Sequence, residues 1–165
     1  MDIPGLKIHR DPRGFAFLYP HNWHAFTLDA GNGPGALFAE SADDLATHLS
    51  IEVMDLPTAV RGRDLPAIER AFLDGLKQAP ESTIVRRDAY DTGFLVGVEA
   101  EQTFVEQGQR RRRWVRLLYR GRRQARLVAQ AATELDFERL RTRFEPAMTS
   151  FNFAADAMPT AEPEP

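Results

Sequence analysis

The sequence predicts an α+β fold in which two amphipathic helices pack on an antiparallel sheet, either one on each face or both on the same face. Short segments of alternating apolar and polar residues, separated by turn residues, make up most of the chain. Two segments, 64–78 and 133–151, instead repeat apolar residues at helical spacing. Because the helices are few and the strands between them are joined by hairpins, an alternating β-α-β arrangement is not expected.

The first predicted strand, Phe15–Tyr19, is marked by large side chains that alternate along it. Alternation buries one face of a strand, and Pro20 is expected to end it because proline cannot donate to a ladder. Further strands are predicted at Trp23–Leu28, Ala36–Glu40 and His48–Met54. The glycine-rich segment 31–35 lacks a Gly-Lys-Ser/Thr ending, so we expect it to connect two strands and not to bind phosphate.

A first helix is predicted over residues 64–78. Asp64 is expected to cap its start, and Pro66 is tolerated in the first turn, where its missing N–H costs little. Pro80 ends the pattern. The apolar stripe of this helix consists of Leu65, Ile68, Phe72 and Leu76.

A meander of four strands is predicted after this helix: Thr83–Tyr90, Phe94–Glu106, Arg110–Tyr119 and Arg123–Ala131. A two-residue turn at Gln107-Gly108 places Val98 opposite Leu117 on one face and Glu99 opposite Arg116 on the other. A slip by one residue would mix apolar and charged side chains, so burial specifies this register.

The last hairpin of the meander is predicted to turn through a three-residue loop, 120–122, with Gly121 in the left-handed conformation. This loop would place Arg116 opposite Arg126. It would also put three residues on the same buried side as Val98 and Leu117, namely Ala125, Leu127 and Ala129.

A second helix is predicted to start at Thr133, which with Asp136 resembles a capping box. Pro146 should kink or break this helix near Thr142, because it removes a hydrogen bond and clashes with the carbonyl four residues back. The apolar stripe consists of Phe137, Leu140, Phe144, Met148 and Phe151. A single domain is therefore expected over residues 14–153, with a lead-in at 1–13 and a disordered tail rich in Pro, Glu and Ala at 154–165.

Composition restricts the classes of function. The chain has 165 residues and a net charge of −3. It has no cysteine, and this absence excludes disulfides, thiolate nucleophiles and cysteine-zinc sites. No apolar run reaches the roughly 18–20 residues of a membrane helix, so membrane insertion is not expected. The N-terminal residues lack the pattern of a signal peptide, and a cytoplasmic location is the expectation.

Charge is concentrated in one hairpin. Nine arginines lie between Arg110 and Arg126 with no acidic residue among them, whereas the rest of the chain is acidic. Clustered guanidinium groups and a tryptophan are typical of surfaces that bind phosphate and stack on bases. The alternative is a sheet face neutralised by neighbouring acids, or a protein-docking surface. The candidate partner-binding residues are Arg110, Arg112, Trp114, Arg116, Arg120 and Arg126.

Catalytic and metal sites receive less support from the sequence. His21 and His24 lie close together, and a metal would need a third ligand such as His48 or Asp29. No serine lies in a nucleophile-elbow pattern, and no carboxylate pair has an evident partner. We therefore expect no enzyme activity, no catalytic residue, no metal and no cofactor. The least favoured hypothesis is a hydrolase or a metal-dependent enzyme that uses His21, His24 and a carboxylate.

The run Phe15-Ala16-Phe17-Leu18-Tyr19-Pro20 followed by Trp23, together with the closing Met148-Thr149-Ser150-Phe151, resembles the PsbP-like superfamily over about residues 14–153. The resemblance implies an α/β/α sandwich and mostly non-catalytic, protein-binding members. These include the photosystem II subunit PsbP, DcrB-like bacterial envelope proteins and Eag-type chaperones, whose mode implies an apolar groove for a client helix. It implies a protein-binding accessory or chaperone module, with nucleic-acid or anionic-partner binding through Arg110–Arg126 as the alternative.

Overall fold

The computed structural model describes residues 4–28 and 35–153, and two helices and nine strands are assigned in these ranges. The first five strands precede helix α1: β1 (Leu6–Asp11), β2 (Phe15–Pro20), β3 (His24–Leu28), β4 (Gly35–Ala39) and β5 (His48–Val60). A 3-10 turn, Gly62–Asp64, leads into α1 (Leu65–Leu76). The remaining elements are β6 (Thr83–Asp91), β7 (Val96–Glu106), β8 (Gln109–Ala131), α2 (Glu134–Ser150) and β9 (Asn152–Phe153).

The main sheet is antiparallel and has the order β3-β4-β5-β8-β7-β6. Its β7–β8 register confirms the prediction, because Val98 lies opposite Leu117 and Glu99 opposite Arg116. The turn between these strands has a positive φ at both Gln107 (52°) and Gly108 (73°). Two consecutive left-handed residues are the mark of a type I′ turn, which matches the twist of the strands.

Strand β8 supplies two arms of the main sheet. Its first arm, Gln109–Tyr119, pairs with β7, and its second arm, Gly121–Gln130, pairs with β5. Arg113 and Arg126 line the same two cavities, whereas a straight strand would hold them roughly 40 Å apart. The chain therefore folds back within β8 near Gly121, whose φ of 57° is left-handed as predicted.

The predicted register of this last hairpin is wrong. Ala125, Leu127 and Ala129 belong to the core that contains Trp114, whereas Val128 belongs to the core of Val98 and Val115. Arg116 and Arg126 consequently lie on opposite faces and do not oppose each other. A change of one residue in the turn is enough for this difference, because alternate strand residues point to opposite sides.

A second, three-stranded sheet has the order β1-β2-β9 and lies beside α2. Its first strand, β1, falls within the segment predicted as a lead-in, and it pairs with the whole of β2. The strand predicted at Phe15–Tyr19 is confirmed as β2, which also includes Pro20 as its last residue. The glycine-rich segment 31–35 lies outside the described residues except for Gly35, which begins β4.

Each helix covers one side of the main sheet, which confirms the α+β sandwich. The larger core joins α2 and the small sheet to β4, β5 and β8, and it contains Phe15, Phe17, Trp23 and Phe38. The five stripe residues of α2 are all buried there: Phe137, Leu140, Phe144, Met148 and Phe151. The smaller core lies between α1 and the first arm of β8 with its neighbour β7.

The ends of the helices differ in part from the prediction. The hydroxyl of Thr133 accepts a hydrogen bond from the backbone N–H of Asp136 at 3.1 Å, so this cap is confirmed. The carboxylate of Asp64 instead accepts from the backbone N–H of Arg61 at 2.8 Å and makes no cap bond with α1. Helix α2 also continues through Pro146 to Ser150, because the buried residues on both sides of the proline hold it against the core.

Candidate functional site

Helix α1 leaves much of its side of the main sheet uncovered. Cross-strand pairs place Phe26, Leu37, Ser50 and Val128 in one row across β3, β4, β5 and the second arm of β8. Phe26 is 37% exposed, and α1 contacts β6 and β7 at the other end of the sheet. Val128 is buried in the smaller core, whereas Arg126 on the same side of the second arm is exposed. We call this side of β3, β4, β5 and the second arm of β8 the open face.

A groove runs along the boundary between α1 and the open face. One cavity of about 190 Å³ is lined by His48, Ser50, Glu52, Arg113, Arg126, Val128 and Gln130. A neighbouring cavity of about 330 Å³ is lined by Ala71, Phe72, Gly75, Leu76, Arg113, Val115, Leu117, Gln124 and Arg126. Because Arg113 and Arg126 line both cavities, the two form one groove, which is polar towards β5 and apolar towards α1.

Arg113 is held in the groove by its neighbours. Its Nε–H donates to Gln102 Oε1 at 2.7 Å, and its guanidinium lies 4.4 Å from the centre of the Phe104 ring. Gln102 is itself fully buried and donates to the carbonyl of Leu76 in α1 at 3.0 Å. Arg113 is thus oriented by a chain of contacts that begins at the helix.

The positive charge of the groove is only partly offset, because Glu52 lines the same cavity as Arg126 and Glu106 acts on Arg113 from a greater distance. Among the described residues, no carboxylate lies within ion-pair distance of Arg113 or Arg126. Burial lowers the pKa of Arg113, and the charge of Arg126 lowers this pKa further. An arginine nevertheless stays protonated in a protein, so the groove keeps two cations that repel each other.

His48 adds a neutral group to the same cavity. Burial is the largest cause that lowers its pKa below the ordinary value of 6.5, and Arg113 acts in the same direction. The imidazole is therefore uncharged at neutral pH. Its Nδ1 lies 2.8 Å from the carbonyl of Leu45, which can only accept, so Nδ1 carries the proton and Nε2 is a free acceptor.

Four of the six predicted partner-binding residues lie on the other side of the sheet, under α2. Arg110 pairs with Glu134 at 3.4 Å, and Arg112 pairs with Glu138 at 3.3 Å. Trp114 is buried, and its Nε1–H donates to Glu99 at 2.8 Å. Each of these side chains therefore has an intramolecular partner.

Arg116, the fourth of these residues, has partners on three elements. It pairs with Glu99 at 3.2 Å, donates to the hydroxyl of Tyr90 at 2.5 Å and donates to the carbonyl of Met148 in α2. The last two predicted residues lie elsewhere. Arg120 lies over the ring of Phe94 at 4.2 Å, and Arg126 is exposed on the open face.

A buried charge network surrounds Glu99 and Glu101 beneath α2. The side chain of Glu101 is only 4% exposed and lies 2.9 Å from Arg86 Nε and 3.0 Å from Arg141 Nη1. We call Glu99, Glu101 and the four arginines around them the charge network; these arginines are Arg86, Arg112, Arg116 and Arg141. Most of the predicted basic cluster on this face is thus used to hold α2 against the sheet.

The candidate metal ligands are dispersed over separate elements. His21 Nδ1 lies 3.1 Å from the carbonyl of Gly5, His24 begins β3, and His48 lies in the groove. Asp29 lies outside the described residues. Within residues 4–28 and 35–153, no three His, Asp or Glu side chains are grouped in a way that could hold a metal ion.

Arg113 and its anchor Gln102 were not among the residues predicted from the sequence to bind a partner. The β7–β8 register pairs the two directly, and alternation places both on the side opposite Glu99 and Arg116. That signal was available in the sequence. The neighbouring position of Arg126 was not, because it depends on the turn that follows Tyr119.

The described helices are not long and apolar enough for either of them to cross a membrane. No protein-family model matches the sequence, and no curated protein matches it at a significant level.

Comparison with solved structures finds several of similar architecture. Cyanobacterial PsbP (CyanoP) from Synechocystis sp. PCC 6803 gives a TM-score of 0.66 at 15% identity, over 92% of this chain and 94% of that chain. A crystal structure from Bacteroides thetaiotaomicron VPI-5482 gives 0.61 at 15% identity, over 92% of this chain and 50% of that one. LpqN, a protein involved in cell envelope biogenesis of Mycobacterium tuberculosis, gives 0.60 at 13% identity, over 89% of each chain. The chain has a PsbP-like fold.

Proposed function

We propose that this protein is a non-catalytic accessory or chaperone module that binds another protein through the open face and its groove. The observation that carries the proposal is a groove that presents two cations without acidic neighbours at ion-pair distance beside apolar side chains. Structures with the same fold include a PsbP and a protein involved in cell envelope biogenesis, which agrees with an accessory role.

The shape and chemistry of the groove favour a partner segment that is itself amphipathic. Phe72 and Leu76 of α1 and Val115 of β8 line one wall, whereas His48 and Glu52 of β5 line the other. The resemblance to chaperones implied an apolar groove that accepts a client helix, whereas the groove described above has one apolar and one polar wall. A helix or strand with one apolar and one polar edge would match both walls.

The arginines under α2 are assigned a structural role in this proposal. Each of Arg110, Arg112 and Arg116 pairs with a carboxylate, and Trp114 donates to Glu99. Releasing them to a partner would break these contacts, and the loss of Arg112 and Arg116 would leave the largely buried carboxylates of Glu101 and Glu99 without these cations. Arg126 is the predicted residue that we assign to partner binding.

Site-specific photo-crosslinking tests the proposal. A photoreactive phenylalanine analogue is placed at Phe26 on the open face or, as the matched control, at Leu135, which is 82% exposed on α2. The intact protein is irradiated in cells, the adducts are identified by mass spectrometry, and binding is repeated with the purified partner. We expect a discrete protein adduct from position 26 that Arg126→Glu weakens. An adduct from position 135 alone would contradict the proposed face.

Binding of nucleic acid through Arg110–Arg126 is the alternative from the sequence, and the pairing of these arginines with acids gives it less support. A titration of a fluorescent oligonucleotide at two salt concentrations separates the two functions. Phosphate contacts release counterions, so true nucleic-acid binding must weaken steeply as salt rises. If the protein-binding proposal is correct, no salt-sensitive binding of the oligonucleotide is expected. Tight, salt-sensitive binding of the oligonucleotide that is lost in Arg112→Gln would instead support the nucleic-acid function.

A further inference from the structure

Arg113 and Arg126 both line a gap in the groove that is large enough for a carboxylate group. Both side chains line the 190 Å³ cavity with Ser50 and His48. We propose that this gap binds the carboxylate of an aspartate or glutamate side chain in the partner protein. The inference rests on the proposed function, because it names the group by which the partner is anchored on the open face.

Arg113 supplies donors that are already in position. Its Nε–H is used by Gln102, and its guanidinium is fixed against the Phe104 ring. No hydrogen-bond acceptor among the described residues lies at its two terminal nitrogens. A planar guanidinium held in this way can bind a carboxylate through two parallel hydrogen bonds with little further loss of side-chain freedom.

The other charged residues around the cavity favour a ligand group with a single negative charge. Glu52 lies opposite Arg126 in the neighbouring strand and lines the same cavity. Arg111, which also acts on His48, is paired with Glu106 at 3.2 Å. The two arginines and Glu52 remain, and they give the cavity a net charge of +1. One carboxylate from the partner would neutralise this charge, whereas a dianionic phosphate would reverse its sign.

His48 provides the complementary acceptor. Its uncharged ring turns Nδ1 towards Leu45 and leaves Nε2 free. An N–H of the partner can therefore be bound beside its carboxylate. A cavity with donors on one side and an acceptor on the other fits an acidic residue within a peptide better than a simple inorganic anion.

An NMR titration of the full, ¹⁵N-labelled protein tests this inference with two matched probes. N-acetyl-glutamate α-amide carries one carboxylate, and N-acetyl-glutamine α-amide is its uncharged isostere. The signals followed are the Arg113 Nε–H and the backbone amides of Ser50 and Val128. We expect saturating shifts and an affinity for the glutamate probe about tenfold higher, since a charge-assisted hydrogen bond contributes about 1.5 kcal/mol or more.

Two charge-removing variants complete the experiment. Arg126→Gln changes an exposed residue, so the fold should persist and the affinity for the glutamate probe should fall about tenfold. Arg143→Gln, an exposed arginine of α2 on the other side of the sheet, should leave the affinity unchanged. Equal affinities for the two probes, or equal effects of the two variants, would overturn the inference.

The titration tests the carboxylate site and the photo-crosslinking tests the proposed function, so either proposal can be contradicted without the other. A partner cross-linked at position 26 together with no preference for the glutamate probe would overturn the carboxylate site and keep the proposed function. A clear glutamate preference without any adduct from position 26 would support the carboxylate site and contradict the docking of a protein on the open face. Inorganic phosphate is titrated in parallel, and tighter binding of phosphate than of the glutamate probe would also overturn the inference.

Discussion

Glu101 shows how one acidic residue can organise several arginines. Its carboxylate is almost fully buried and has Arg86, Arg112 and Arg141 within 4 Å. These arginines come from β6, β8 and α2, so a single side chain links three elements. A buried ion pair stabilises little compared with an apolar contact, but the loss of one member leaves uncompensated buried charge.

We therefore expect Glu101→Gln to lower the free energy of unfolding by about 3 kcal/mol. The matched control is Arg139→Gln, which removes the exposed ion pairs with Glu40 and Asp136 and should cost less than about 1 kcal/mol. Urea denaturation of both variants gives the comparison. If Glu101→Gln costs no more than Arg139→Gln, the charge network does not stabilise α2 on the sheet.

Asp11 gives the protein a titratable contribution to its stability. Hydrogen bonds from the Arg13 side chain are the largest cause that lowers the pKa of Asp11 from 3.8 to about 2. A lowered pKa in the folded state means that the unfolded chain binds the proton more readily. The contribution is therefore complete above pH 4 and is lost as the pH falls towards 2.

Asp11→Asn removes this contribution. At pH 6 the variant should be less stable than the wild type by about 2 kcal/mol, and this difference should shrink towards zero as the pH approaches 2. Urea unfolding at a series of pH values measures it, with the exposed Asp43→Asn as control. A difference that stays constant from pH 6 to pH 2 would show that the carboxylate of Asp11 is not the titrating group.

Individual side-chain contacts were predictable from the sequence where a short turn fixes the register of two strands. The pairing of Glu99 with Arg116 followed from the two residues Gln107 and Gly108. The pairing of Arg113 with Gln102 followed from the same register, but the position of Arg126 beside Arg113 did not, because it depends on the turn near Gly121. Contacts of that kind depend on how separate elements pack, which local patterns do not encode.

Gly108, in the turn between β7 and β8, and Gly75, in α1, differ in backbone conformation. Gly108 has a φ of 73°, in the left-handed region, whereas Gly75 lies within α1 without a positive φ. A Cβ added at either position would meet no atom within 4 Å. The two positions therefore differ in backbone conformation and not in available space.

The same substitution should consequently have opposite effects. Gly108→Ala is expected to destabilise the protein by about 1 kcal/mol, because alanine is strained at positive φ. Gly75→Ala should stabilise it by roughly 0.5–1 kcal/mol, because alanine loses less backbone freedom in a helix. Thermal unfolding of both variants provides the test, and effects of the same sign would contradict the assigned turn.

The helices and strands were mostly predictable, and the two main errors have physical causes. Pro146 does not end α2, because Phe144, Ala147 and Met148 bury the helix on both sides of it. The second arm of β8 has the opposite alternation from the prediction, since its register depends on the number of residues in a turn. Both errors arise where packing outweighs a local rule.

The whole molecule is an asymmetric sandwich, and this asymmetry creates the candidate site. Helix α2 and the small sheet cover one side of the main sheet, whereas α1 covers only the end of the other side that is formed by β6, β7 and the first arm of β8. The amphipathic stripes predict that both helices pack on the sheet, but not where each one lies along it. The open face was therefore beyond the reach of the sequence patterns.

Docking of a protein partner on the open face should be visible in hydroxyl-radical footprinting of the complex with the cross-linked partner. Phe26 and Met54 report on the open face, and Leu135 reports on α2. We expect oxidation of Phe26 and Met54 to fall on partner binding while that of Leu135 is unchanged. Protection of Leu135 with unchanged oxidation of Phe26 and Met54 would contradict docking on the open face.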